Sequence, residues 1–86
     1  MQEFGRLDIN VNCAGYWDPF RSFVNEDDAL WAKMVAINTM GTAKAMRLAI
    51  AQFLKQDIDI DWGSRGRIVN ISSCAANIAF PREVAY

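Results

Sequence analysis

The sequence predicts an α/β fold, a piece of an open parallel sheet ordered strand, long helix, strand. Three observations carry this. Arg67–Ile71 is a short apolar run rich in β-branched residues that follows a glycine, and Leu7–Asn12 has the length and flanks of a second strand. Between them, from Asp27 to about Gln56, apolar side chains recur every three to five positions, which is a helical period. Each strand then gives way to small residues, Cys13-Ala14-Gly15 after the first and Ser72-Ser73-Cys74-Ala75-Ala76 after the second. Small residues let a backbone or ligand come close, and open α/β sheets bind ligands beyond the carboxyl ends of their strands. The two strands are expected to be parallel neighbours joined by a right-handed crossover.

Taken in order, Met1-Gln2-Glu3-Phe4-Gly5 has the form of a helix tail closed by glycine, which predicts a chain truncated at its start. Tyr16 to Phe23 is a loop broken by Pro19, and its aromatics either line a pocket or cover the sheet edge and the next helix, the second being the usual use of aromatic area. Asn25 is a candidate helix cap, and Glu26-Asp27-Asp28 place acids at the positive end of the helix dipole. The apolar face runs through Leu30, Met34, Ile37, Gly41, Met46, Ile50, Phe53 and Leu54, with a bend expected near Asn38. Gly41 in a helix interior costs about 1 kcal/mol against alanine, which points to close packing there. Asp57-Ile58-Asp59-Ile60-Asp61 has the spacing of a calcium loop, but Trp62 stands where that loop needs glycine and Ile68 where it needs glutamate, so a solvated connection is expected. After the second strand a helix is expected to begin, and Asn77–Val84 is a loop.

Composition excludes several classes. The chain has 86 residues, one domain at most or part of one. A net charge of −1 gives no electrostatic reason to expect nucleic acid. The absence of histidine removes Ser-His-Asp and Cys-His catalysis from this chain, and with only two cysteines a structural zinc site is not expected either. Two cysteines are no disulfide framework and are expected as free thiols in a reducing compartment. No apolar run is long enough for a membrane span, so a cytoplasmic protein is expected.

Three stretches in this order, Leu7-Asp8-Ile9-Asn10-Val11-Asn12-Cys13-Ala14-Gly15, Ile37-Asn38-Thr39-Met40-Gly41-Thr42 and Arg67-Ile68-Val69-Asn70-Ile71-Ser72-Ser73, resemble the motifs of the short-chain dehydrogenase/reductases. Tyr86, thirteen residues after Ser73, fits the interval that family uses. The resemblance implies a Rossmann-like, doubly wound sheet of which residues 1–86 are the central part, a single NAD(P)-binding domain truncated at both ends. It implies that Asn12 braces the sheet and that Asn12, Ala14 and Gly15 belong to the cofactor side. Cys13 departs from the family's second asparagine, and Gly15 alone is equally readable as a plain strand-to-loop glycine. It also implies that Asn38 kinks the helix and holds a relay water, that Ser73 donates to the substrate oxygen, and that Tyr86 is the acid/base and borders the cofactor. A helix asparagine bonded to local backbone is the bland alternative for Asn38, and Ser72 is the structural alternative to Ser73.

The implied activity is NAD- or NADP-dependent hydride transfer to or from a small carbonyl or alcohol substrate, in a homo-oligomeric parent. The family's lysine four residues after the tyrosine is absent, as is any glycine-rich turn for a pyrophosphate, so the isolated chain is expected to be inactive. The competing expectation is a non-catalytic product acting as an interaction module through its long helix.

Overall fold

The computed structural model describes residues 3–17, 21–78 and 80–86. Met1 and Gln2 of the expected helix tail, and Asp18, Pro19 and Phe20 of the expected loop, lie outside the described residues. Gly5 takes a φ of +81°, the left-handed conformation that suits a glycine closing a turn.

Strand β1 (Ile9–Asn12) and strand β2 (Arg67–Asn70) are parallel neighbours, registered from Ile9 opposite Arg67 to Asn12 opposite Asn70. Between them one helical path runs over residues 28–53: α1 (Asp28–Met34), a π-helical segment (Val35–Gly41) and α2 (Thr42–Phe53). The strand, long helix, strand order predicted from the sequence is the one that forms, a Rossmann-like fragment.

Details differ from the sequence reading for physical reasons. The helix is capped by Asp27, not Asn25: Asp27 has extended backbone and its carboxylate accepts from the Leu30 N–H at 2.8 Å, whereas Asn25 is spent in a 3-10 turn, Phe23–Asn25. The α-helix ends at Phe53 rather than Gln56, and the Gln56 side chain turns to other work. Where a bend was expected near Asn38, the helical path is π-helical, in the segment centred on that residue. The 3-10 turn Cys74–Ala76 stands where a second helix was expected to begin.

The buried apolar residues among those described are Leu30, Met34, Ala49 and Phe53. Ile50 and Leu54, placed on the apolar face by their spacing, are 46% and 72% exposed. A π turn takes up more residues than an α turn, so the phase set by Leu30 and Met34 does not carry unchanged beyond Gly41. Small Ala49 then sits inside. The apolar run of β2 is also only half covered. The helix side of the sheet carries Asn10, Asn12, Ile68 and Asn70, with the Asn70 amide 3.3 Å from Met46 Sδ. The opposite face presents Ile9, Val11, Val69 and Ile71 to solvent.

The acidic connection is a tight turn. Asp59 Oδ1 accepts from the Asp61 and Trp62 N–H groups, Gly63 takes a φ of +69°, and Asp59 and Ser64 form an antiparallel bridge. Its carboxylate therefore serves the backbone, and no cluster of three or more metal-ligating side chains exists among the described residues. No helix among them is long and apolar enough to cross a membrane.

Candidate active site

The small residues after β1, the π segment and the residues after β2 meet at the carboxyl ends of the two strands. They enclose an open cavity of about 360 Å³ whose lining includes Ala14, Gly15, Asn38, Thr42, Ser73 and Tyr86. Five of the six residues singled out from the sequence thus face one space. The sixth, Asn12, is turned into the sheet: its Nδ2 donates to Asn70 Oδ1 at 2.7 Å and to Asn10 Oδ1 at 2.9 Å. It braces neighbouring strands and lies outside the lining of this cavity.

The Asn38 side chain bonds chiefly across to the loop after β1, with a further contact from Nδ2 to Met34 Sδ at 3.6 Å on its own helical path. Its Oδ1 accepts from the Tyr16 N–H at 2.8 Å and its Nδ2 donates to the Tyr16 carbonyl at 3.0 Å. One side-chain amide thereby satisfies both polar groups of a loop residue that has no strand partner, which a buried backbone requires. The Asn38 carbonyl accepts from Thr42 Oγ1 at 3.0 Å. A hydroxyl that bonds back to the carbonyl four residues earlier bends a helix, in keeping with the π segment here.

Ser73 has extended backbone and caps the Cys74–Ala76 turn, its Oγ accepting from the Ala75 N–H at 3.1 Å. That bond holds the hydroxyl oxygen in place and leaves its proton to be donated, since a hydroxyl is both donor and acceptor. Ser72 also lines the cavity but is exposed, while Ser73 is half-buried. Tyr86 borders the same cavity and is 44% exposed. Cys13 and Cys74 are both free and exposed.

Gly15 provides a test of whether a flat cofactor suits this edge. A Cβ built on it meets only Asn38 Oδ1, at 3.7 Å, which is ordinary contact. Nothing within the chain requires glycine there, so an added methyl group would take up cavity space rather than clash with protein. With Ala14 beside it, the β1 exit fits a group that lies close to the backbone.

Sequence reasoning missed three participants. Gln56 bonds the Leu7 backbone on both sides, accepting from its N–H at 2.6 Å and donating to its carbonyl at 2.7 Å. Thr42 follows Gly41 in the quoted motif, yet no pattern singles out its hydroxyl. Trp17 Nε1 donates to Glu83 Oε1 at 2.5 Å, joining loops far apart in sequence.

Comparison with known proteins agrees with this geometry. The chain is 35% identical over 86 residues to the short chain dehydrogenase adrF of Penicillium rubens, covering 100% of this chain and 31% of that protein. It is 33% identical over 92 residues to ipsdienol dehydrogenase of Ips pini, covering 100% of this chain and 36% of the relative. It is 38% identical over 79 residues to 3-hydroxyacyl-CoA dehydrogenase type-2 of Drosophila melanogaster, covering 86% and 31%. The chain therefore spans about a third of the length of these relatives. A family model described as short chain dehydrogenase matches residues 1–86, and with its parallel strands and long helix the chain belongs to the short-chain dehydrogenase family.

Proposed function

We propose that residues 1–86 are the central part of a single NAD(P)-binding Rossmann domain in an oxidoreductase that interconverts a small carbonyl and the corresponding alcohol. The observation that carries this reading is the common cavity of Ser73, Tyr86, Asn38 and the Ala14-Gly15 turn. Ala14 and Gly15 would hold the dinucleotide with Tyr86 at its border, and the bound nicotinamide would supply or accept the hydride. Tyr86 gives its phenolic proton to the reacting oxygen in reduction and takes it back in oxidation. Ser73, its oxygen steadied by the Ala75 N–H, donates a hydrogen bond to that same oxygen as charge develops. Asn38 holds the β1 exit loop through Tyr16 and would hold a relay water. Asn12 supports the cofactor side from within the sheet. The parent self-associates.

The test is steady-state kinetics on the full-length protein, with cofactor affinity measured separately. Tyr86→Phe abolishes turnover and leaves the cofactor bound. Ser73→Ala lowers kcat about a hundredfold to a thousandfold, as loss of one preorganised donor does. Asn38→Ala is intermediate and Ser72→Ala mild. Near wild-type turnover in Tyr86→Phe, or a worse loss in Ser72→Ala than in Ser73→Ala, overturns the assignment.

A further inference from the structure

We infer that Trp17 and Glu83 form a clasp that positions Tyr86 at the cavity, an inference that rests on Tyr86 being the acid/base. Within residues 1–86 Tyr86 is 44% exposed, so packing inside this piece does not hold its ring. Its place depends on the segment that delivers it. Tyr86 lies three residues beyond Glu83, a reach of about 10 Å, so fixing Glu83 bounds where the phenol can be.

Glu83 is tied to a fixed point. The Tyr16 backbone is held on both sides by the Asn38 amide, at 2.8 and 3.0 Å, and Lys33 Nζ sits 4.1 Å from the centroid of the Tyr16 ring. The next residue, Trp17, donates from Nε1 to Glu83 Oε1, a bond strengthened by the carboxylate charge. One residue earlier, the Arg82 carbonyl accepts from the Arg21 N–H at 3.2 Å. Arg82 itself has a φ of +65°, a left-handed conformation that is costly for a residue with a Cβ. Such strain persists where the surroundings enforce it, and it clusters at functional sites. Here bonds at Arg82 O and at the Glu83 carboxylate restrain the turn. The connection thus runs from the long helix through Asn38, Tyr16 and Trp17 to Glu83 and on to Tyr86. Neither Trp17 nor Glu83 lines the cavity, so both act on the reaction as positioning residues.

The test uses the full-length protein with its dinucleotide. Trp17→Phe keeps a ring but removes the Nε1 donor, and Glu83→Ala removes the acceptor. Each lowers kcat by about tenfold to a hundredfold with cofactor affinity unchanged, because a misplacement of about 1 Å can cost about a hundredfold. Glu83→Gln, which retains an acceptor oxygen, restores most of the rate. The double variant Trp17→Phe/Glu83→Ala is no worse than either single one, the non-additivity of residues joined in one bond. Plain loop packing predicts additive losses in the double variant. Trp17→Phe retains most of the ring area, so it carries the test alone if Glu83→Ala unfolds. Near wild-type kcat in Trp17→Phe, with Tyr86→Phe inactive, overturns the clasp and leaves the functional reading standing. An active Tyr86→Phe overturns both.

Discussion

Gly66 stands just before β2, and a Cβ added to it would lie 2.3 Å from Phe53 Cδ1, 2.3 Å from Cε1 and 2.6 Å from Cγ. Non-bonded carbons settle at about 3.5–4.0 Å, so Gly66→Ala overlaps a ring by more than an ångström at two atoms. The ring has little room to retreat, since Phe53 is only 7% exposed and is one of the four buried apolar residues described. Two terms oppose each other. Gly66 is not among the glycines with positive φ, so alanine suits its backbone and would gain about 0.4–1 kcal/mol by restricting the unfolded chain. Overpacking of a well-filled site costs about 1–3 kcal/mol. The steric term wins, and Gly66→Ala should destabilise the protein by roughly 1–2 kcal/mol. Urea unfolding followed by far-ultraviolet circular dichroism measures this as a lower midpoint at unchanged slope. In a Phe53→Leu background, with the ring gone, the penalty should shrink or reverse. A midpoint for Gly66→Ala equal to or above wild type would refute the packing of Phe53 on Gly66 and, with it, the close approach of the helix end to the start of β2.

Two further outcomes follow from single observations. Asp27→Ala should cost about 1 kcal/mol through loss of the Leu30 N–H cap, while Asn25→Ala stays within about 0.5 kcal/mol; equal effects in denaturant unfolding would place the cap elsewhere. The isolated 86-residue chain should bind NAD or NADP weakly or not at all and should self-associate, because its sequence has no glycine-rich pyrophosphate turn and its outer sheet face is apolar and exposed; calorimetry showing micromolar binding to a monodisperse monomer would contradict this.

The architecture was legible because it rests on local signals. β-branched runs marked the strands, period marked the helix, and small residues marked the strand exits. The cavity was legible only through motif order, since Gly15, Asn38, Ser73 and Tyr86 are brought together by the crossover and not by spacing. What escaped had non-local causes. The cap moved by two residues because both candidates satisfy the same local rule and only the backbone at Asp27 is extended beside the helix. The choice of Ala49 over Ile50 for the interior depends on the helical phase after a π segment, which apolar periodicity does not encode. Trp17 and Glu83 are 66 residues apart, and neither type of side chain announces such a partner.

Two side-chain amides, one on the long helix and one just past its end, explain why the strand exit falls where it does. Gln56 takes both backbone polar groups of Leu7, just before β1, and Asn38 takes both of Tyr16, beyond its exit turn. Each supplies the donor and acceptor that an adjacent strand would supply. The helix, running opposite to the strand, is thus pinned to it at both ends, and slippage in either direction leaves backbone groups unpaired at one of them. That registration sets Gly15 beside Asn38 and across from Ser73. It also divides the labour within Asn38: the side chain bonds Tyr16, and the carbonyl accepts from Thr42. A rate loss in a side-chain variant of Asn38 therefore reports on the placement of the β1 exit as much as on any relay, and the fold and the site share this one residue.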